Sequence, residues 1–207
     1  MLISFPSNAT GMFFSQTTAN LVTYFDYATE KFTSYPVPGS PLGMIVASDK
    51  NLYVAELLGN AIHRLNTQTG ETKTFHLPLQ LLGPAVVRVE THNRYVWFTA
   101  FLGGGLGRLD TKTGKIEAHS NPSLLSFPAE DTLDSRGNIW FSTATQNTLN
   151  KYSPRDGTFS TVVQPNTTIV ALISLPLYFD IGINYSPGNA IWFTEATTNR
   201  VGRYSLP

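Results

Sequence analysis

Five segments of the 207-residue chain align without a gap: Met12-Phe-Phe-Ser-Gln16, Leu52-Tyr-Val-Ala-Glu56, Val96-Trp-Phe-Thr-Ala100, Ile139-Trp-Phe-Ser-Thr143 and Ile191-Trp-Phe-Thr-Glu195. Their second positions, Phe13, Tyr53, Trp97, Trp140 and Trp192, are 40, 44, 43 and 52 residues apart, and all 3 tryptophans of the chain fall in this column. A second apolar column follows in register, made of Val22, Ile62, Leu106, Leu149 and Val201, and two places beyond it stand Tyr24, Arg64, Arg108, Lys151 and Arg203. Self-similarity at such a period marks a repeat architecture in which each unit buries its apolar face only against its neighbour.

The punctuation of each unit reads as hairpins. Polar turns such as Asp49-Lys-Asn51, Asp134-Ser-Arg-Gly-Asn138 and Pro187-Gly-Asn189 precede the aromatic segments. Thr69-Gly70, Thr113-Gly114 or Asp156-Gly157 follows the second column, and a short strand then closes on Pro38, Pro78, Pro122 or Pro165. This gives about four short strands per unit, and a strand apolar on both sides, such as Ile-Trp-Phe-Thr, must be covered on both faces. Radial stacking of four-stranded sheets does so, and the expected fold is an all-β propeller of about five blades. The expected organisation is one domain over 1–207, with repeats near 1–38, 39–82, 83–126, 127–178 and 179–207. The glycine run of Leu102-Gly-Gly-Gly-Leu-Gly107 occupies the hairpin turn and has no helix after it to bind phosphate. The fourth unit has surplus residues within Asn166 to Tyr178, which predict a protruding loop or hairpin. The fifth unit ends at Pro207 without an outermost strand, so either a five-bladed ring has one three-stranded blade or the chain is part of a six- or seven-bladed ring. The raw edge and uncovered faces favour self-association.

Composition excludes several functions. Lys plus Arg total 14 and Asp plus Glu total 14, so charged residues are 14% of the chain, against roughly 25% in an average globular protein. Neither a basic nucleic-acid clamp nor a polybasic membrane anchor fits that balance. Cysteine is absent, which removes disulfides, thiolate metal sites and a cysteine nucleophile. The apolar stretch from Ile169 to Phe179 is broken by Ser174 and Pro176, well short of the roughly 20 residues of a spanning helix. No signal-peptide pattern opens the sequence, so the expected location is cytoplasmic by default, or secreted if a preceding segment is missing.

The phrases Ile191-Trp-Phe-Thr-Glu-Ala-Thr-Thr-Asn-Arg-Val-Gly-Arg203 and Val96-Trp-Phe-Thr99 with Leu106-Gly-Arg-Leu-Asp-Thr-Lys-Thr-Gly114 resemble the repeat of the streptogramin B lyases, also called virginiamycin B lyases. The resemblance extends at lower quality over nearly the whole chain, and more distantly to SMP-30/gluconolactonase-like and NHL-type propellers. It implies a seven-bladed ring that opens a cyclic ester by elimination, with a magnesium ion polarising the substrate and an inner-strand histidine as general base. It implies metal-binding glutamates, of which Glu195, and Glu56 in a weaker unit, are the matches. The phrase that carries histidine and a partner glutamate in the family maps onto Phe179-Asp-Ile-Gly-Ile183 and Ser40-Pro-Leu-Gly-Met44, with Val86 and Ala129 in the intervening units, and none of these has either residue. Asp180, one residue before the expected base, is the remaining catalytic candidate, although alternation along a strand points it to the other face. The chain is therefore expected not to linearise streptogramin B antibiotics.

Polar residues of the inner strands line the channel of a propeller. Arg88, Glu90 and Asn184 are candidate ligand contacts, and Glu130, Asp131 and Asp180 are a candidate acidic rim for a divalent cation, Mg or Ca. The competing reading makes these acids turn and cap residues neutralised by Arg88 and Arg136. His63, His76, His92 and His119 lack metal-ligand spacing and read as solvated surface residues, and Glu56 and Glu195 read as carboxylates beside Arg64 and Arg203. Three functions remain: a lyase-like enzyme, a metal-dependent lactone hydrolase, or a non-catalytic propeller binding a small molecule or a protein on its face.

Overall fold

A computed structural model describes residues 2–3, 10–122, 126–144, 148–163, 182–186, 188–195 and 200–207. The described chain forms five antiparallel sheets, each a simple meander. The first contains β1 (Leu2–Ile3), β2 (Gly11–Gln16), β3 (Leu21–Asp26) and β4 (Phe32–Pro36). The second contains β5 (Pro41–Val46), β6 (Asn51–Glu56), β7 (Ala61–Asn66) and β8 (Thr72–His76). The third contains β9 (Pro84–Thr91), β10 (Tyr95–Ala100), β11 (Gly105–Asp110) and β12 (Ile116–Ser120). The fourth contains β13 (Pro128–Leu133), β14 (Ile139–Thr143), β15 (Thr148–Ser153) and β16 (Thr158–Val163). The fifth has three strands, β17 (Ile183–Ser186), β18 (Ala190–Glu195) and β19 (Arg200–Ser205). This is the β-propeller plan expected from the repeats. The residues around Gly103 and Gly104 are the β10–β11 turn, as the hairpin reading requires. No helix among the described residues is long and apolar enough to cross a membrane. The surplus of the fourth unit, Asn166 to Tyr178, lies outside the described residues.

Alternation along the second strand of each sheet divides the core. The aromatic column faces the following sheet, and the residues on either side of it face the preceding one. Phe13 and Val22 of the first sheet thus pack with Met44, Leu52, Val54 and Leu65 of the second. Tyr53 and Ile62 meet Val96, Phe98 and Leu109, Trp97 and Leu106 meet Ile139, Phe141 and Tyr152, and Trp140 and Leu149 meet Ile183, Ile191 and Phe193.

The polar tips of Tyr53 and of the three column tryptophans are satisfied within their own units. The Nε1 groups of Trp97, Trp140 and Trp192 donate to Thr91, Asp134 and Ser186, each six residues earlier, and the Tyr53 hydroxyl donates to Asp49. That Asp49 contact and, above all, burial push the Tyr53 hydroxyl well above its usual range.

Burial of the column differs in the fifth sheet. Phe13, Tyr53, Trp97 and Trp140 are 6%, 0%, 1% and 4% exposed, whereas Trp192, in the equivalent position, is 41% exposed and Val201 is 67% exposed. The reason is topological: among the described residues no sheet follows the fifth to cover its outward face. The repeat places the tryptophan, and only a neighbour can bury it.

Candidate functional site

The inner strands converge on a cavity of about 380 Å³ lined by Ile45 of β5, Arg88, Val89 and Glu90 of β9, Asp131 to Leu133 of β13, and Asn184 and Tyr185 of β17. Four residues singled out from the sequence as channel groups, Arg88, Glu90, Asp131 and Asn184, are therefore brought together. Glu130 joins them through an ion pair with the Arg88 guanidinium.

Two bulges create this meeting. Trp97 and Phe98 of β10 pair with Val89 and Val87 of β9, which leaves Arg88 as an extra residue, and a similar irregularity in β13 falls between Pro128 and Asp131. A bulge re-aims side chains and frees a backbone donor from the ladder. The hydroxyl that follows the aromatic pair accepts those donors, Val86 N–H donating to Thr99 Oγ1 at 3.1 Å and Glu130 N–H to Ser142 Oγ at 3.3 Å, and in the fifth sheet Thr194 Oγ1 likewise accepts from Gly182 N–H, just before β17, at 2.9 Å. Thr99 Oγ1 in turn donates to the Ala129 carbonyl at 2.9 Å, tying the third sheet to the fourth. This role of the hydroxyl was missed from sequence, although its fixed place after Trp-Phe was the available signal.

Glu90 is held by Ser48, whose N–H and hydroxyl donate to its two carboxylate oxygens at 2.8 and 2.7 Å. Asn184 is exposed and Glu130 half-buried. Asp131 is fully buried opposite Phe141, and among the described residues no other residue hydrogen-bonds either of its oxygens. Burial pushes its carboxyl well above the ordinary range, Arg88 opposes that shift, and Glu130 reinforces it. Burial also raises Glu130, against the pull of Arg88. The reading of these acids as turn residues neutralised by Arg88 and Arg136 holds only for the Arg88–Glu130 pair. Both acids lie on a strand, and Arg136 instead donates to the Pro207 carbonyl.

Two other readings are corrected. Glu56 does not sit beside Arg64: it is buried with Oε1 3.1 Å from His63 Nδ1, while Arg64 pairs with Glu71 at 3.1 Å. His63 is therefore not a solvated surface histidine, nor is His119, whose Nδ1 lies 2.8 Å from the Tyr152 hydroxyl beside the Trp97 ring. Burial lowers the His119 pKa, with a smaller contribution from Arg108.

Asp180 lies outside the described residues, as do Phe179 and Ile181, and Glu195 is described only as the last backbone position of β18. Among the described residues no three acidic or histidine side chains group as a metal site. A magnesium or calcium ion needs several oxygen ligands; among the described carboxylates Glu90 is bonded by Ser48, Glu130 is paired with Arg88 and Glu56 lies beside His63.

This architecture matches that of known propellers. No family model and no curated protein matches the sequence. The virginiamycin B lyase of Staphylococcus aureus superposes with a TM-score of 0.82 at 23% identity, over 100% of this chain and 70% of the lyase. A catalytically inactive histidine-to-alanine variant of that enzyme with quinupristin matches to the same extent. A nidogen/laminin complex matches with a TM-score of 0.77 at 12% identity, over 99% of this chain and 76% of that one. At these identities the likeness carries the fold: a β-propeller of the streptogramin B lyase and nidogen type.

Proposed function

We propose that this protein is a ligand-binding propeller on the streptogramin lyase plan, with the central cavity as its binding site and without the ring-opening reaction. The observation that carries the reading is the convergence of Arg88, Glu90, Asp131 and Asn184 on one cavity. Its volume is near the lower end of the roughly 300–1,000 Å³ typical of small-molecule pockets. The Arg88–Glu130 pair and the exposed Asn184 amide provide hydrogen-bonding groups suited to a small polar molecule.

Elimination from an ester needs a base within hydrogen-bond reach of the proton it removes. The inner-strand positions matched to the family's histidine hold Leu42, Val86, Ala129 and Ile181, none of which accepts a proton. Glu56, the described match to the family's metal-binding glutamate, is buried with its Oε1 3.1 Å from His63 Nδ1.

Incubation with quinupristin and magnesium tests the negative half. Elimination leaves the mass unchanged and hydrolysis adds one water, so retention time and fragment ions must be followed as well as mass. The intact ring is the expected result, and catalytic turnover would overturn the reading. Ligand-observed NMR against small polar metabolites tests the positive half. Binders should be lost in Arg88→Met, and binders indifferent to that change would place the site elsewhere.

A further inference from the structure

The two ends of the second and third sheets differ in charge. One end gathers the turn between second and third strands and the link that enters the first strand. There, residues 37–44, 57–62, 77–87 and 100–107 hold no charged side chain. Glu56 is buried at this end, and His76 stands on the outermost strand. The opposite end of the same two sheets carries Asp49, Lys50, Glu71, Arg94, Lys112 and Lys115. The uncharged end is tipped by leucine: Leu58 of the β6–β7 turn and Leu79 of the link from β8 to β9 are each 78% exposed, and Leu102 of the β10–β11 turn is 53% exposed. These tips belong to one platform. Asn60 donates through Nδ2 to the Leu77 carbonyl and accepts at Oδ1 from Gly83 N–H, both at 3.0 Å. Gly83 lies so close under Leu102 that a Cβ there would be 2.9 Å from its side chain. The half-buried Phe101 meets Phe127 of the next sheet at 5.4 Å alongside. The backbone donors are already used: Leu57, Leu58 and Gly59 N–H donate to the Ser40 and Gly39 carbonyls, Phe101, Leu102 and Gly103 N–H to those of Gly83 and Leu82, and Leu81 and Leu82 N–H to those of Pro78 and Leu79. Such a surface leaves water without stranding those donors, and its turns need no ordering on contact.

We propose that this uncharged end of the second and third sheets seats in the interface of a lipid bilayer, with Leu58, Leu79 and Leu102 reaching the boundary between headgroups and acyl chains. Adjoining exposed apolar side chains mark a contact with a membrane or a protein. Side-chain type and charge favour lipid. The residues that dominate protein interfaces are tryptophan, tyrosine and arginine, with leucine under-represented, inside a polar rim, whereas these exposed tips are leucines and the segments around them are uncharged. A neutral tip enters a zwitterionic headgroup layer without an ion left to pair, and attraction by basic residues plays no part. The depth is interfacial, since lipid-exposed irregular backbone does not enter the hydrocarbon core. This proposal does not rest on the cavity reading, because the cavity is lined toward the charged end of the inner strands by Ile45, Glu90 and Leu133.

The probe is a vesicle of pure phosphatidylcholine, mixed with the full chain and floated through a density gradient. The chain should float with the vesicles in a proportion that rises with lipid and is unchanged by salt or by added anionic lipid. Leu58→Asp, Leu79→Asp and Leu102→Asp should each weaken partitioning about tenfold, the scale of one leucine side chain lost from an apolar phase. Lys112→Glu, at the opposite end, should leave it unchanged, and thermal denaturation confirms that the variants fold. The chain has no cysteine, so Gln80→Cys and Lys112→Cys each take a single environment-sensitive dye. Vesicles should shift the emission to the blue for Gln80→Cys and not for Lys112→Cys. Absence of flotation, indifference to the three leucines, a blue shift confined to Lys112→Cys, or flotation that needs anionic lipid and fails in salt would overturn the proposal. So would sedimentation without lipid as a dimer that Leu79→Asp dissociates, which would make the occupant a second copy of the chain.

Discussion

Trp140 and Trp192 are local twins with different fates. Each stands second in its segment, donates its Nε1 proton to the side chain six residues earlier, and carries a cation over its ring, Lys151 at 5.9 Å and Arg203 at 5.8 Å. Trp140 is 4% exposed because Ile183, Ile191 and Phe193 of the fifth sheet close over it. Trp192 has no such cover among the described residues. In a repeat fold the sequence of a unit specifies its internal environment, while burial of its outward face belongs to the interface with the next unit.

Truncating the two kinds of tryptophan should therefore differ most. Trp97→Ala empties a closed interface, which costs about 3–5 kcal/mol, and at roughly 2–4 °C per kcal/mol for a chain of this size it should lower Tm by about 10 °C or more. Trp192→Ala should cost under about 1 kcal/mol, as for an exposed side chain away from such features. Thermal denaturation of the pair decides the matter, and equal losses would mean that the fifth sheet is covered in solution.

The comparison sharpens at two glycines. A Cβ on Gly107 would lie 2.0 Å from the Phe98 ring, and one on Gly202 would lie 2.1 Å from the Phe193 ring. Both rings face the preceding sheet, and that face of the fifth sheet is as closed as any other. Alanine at either position should thus destabilise similarly, by about 1–3 kcal/mol for an overpacked contact. If Gly202→Ala proved silent while Gly107→Ala did not, the openness of the fifth sheet would extend to both of its faces.

The blade repeat was legible because its two apolar columns keep register through every unit. The environment of Glu56 was also within reach. In the β6–β7 pair Val54 lies opposite His63 and Glu56 opposite Ala61, so Glu56 is a diagonal neighbour of His63, whereas Arg64 lies opposite Tyr53 and projects from the other face. Reading the carboxylate against the nearest cation in sequence ignored that alternation. The Arg88–Glu130 meeting was harder to see, because it depends on bulges in β9 and β13 that shift the register without any glycine at the shifted residues to announce them.

Asp131 tests the closed interface from the electrostatic side. Its folded carboxyl holds the proton to higher pH than an unfolded aspartate does. The stability linked to that proton is complete below about pH 4 and is lost as pH rises through the folded value. Asp131→Asn, neutral at every pH, should match the parent near pH 4 and melt a few degrees higher at neutral pH. A variant that melts lower at neutral pH would show that the ionised carboxylate has a partner there.

The smallest expected effect is that of metal. A resident ion at a hundred times its Kd would add about 2.7 kcal/mol, a shift of several degrees. Among the described carboxylates, Glu56 lies beside His63, and Glu90 is committed to Ser48, Glu130 to Arg88, and Asp110 to Arg94, whose guanidinium holds it well below the usual range. Asp131 has no hydrogen-bond partner among the described residues, and burial there opposes the charge that a cation would require. Millimolar magnesium or calcium should accordingly move Tm by less than about 1 °C, within the scale of non-specific binding. A larger shift that disappears in Asp131→Asn would establish a cation in the channel, and one that survives that change but disappears in Glu195→Gln would locate the ion at the end of β18.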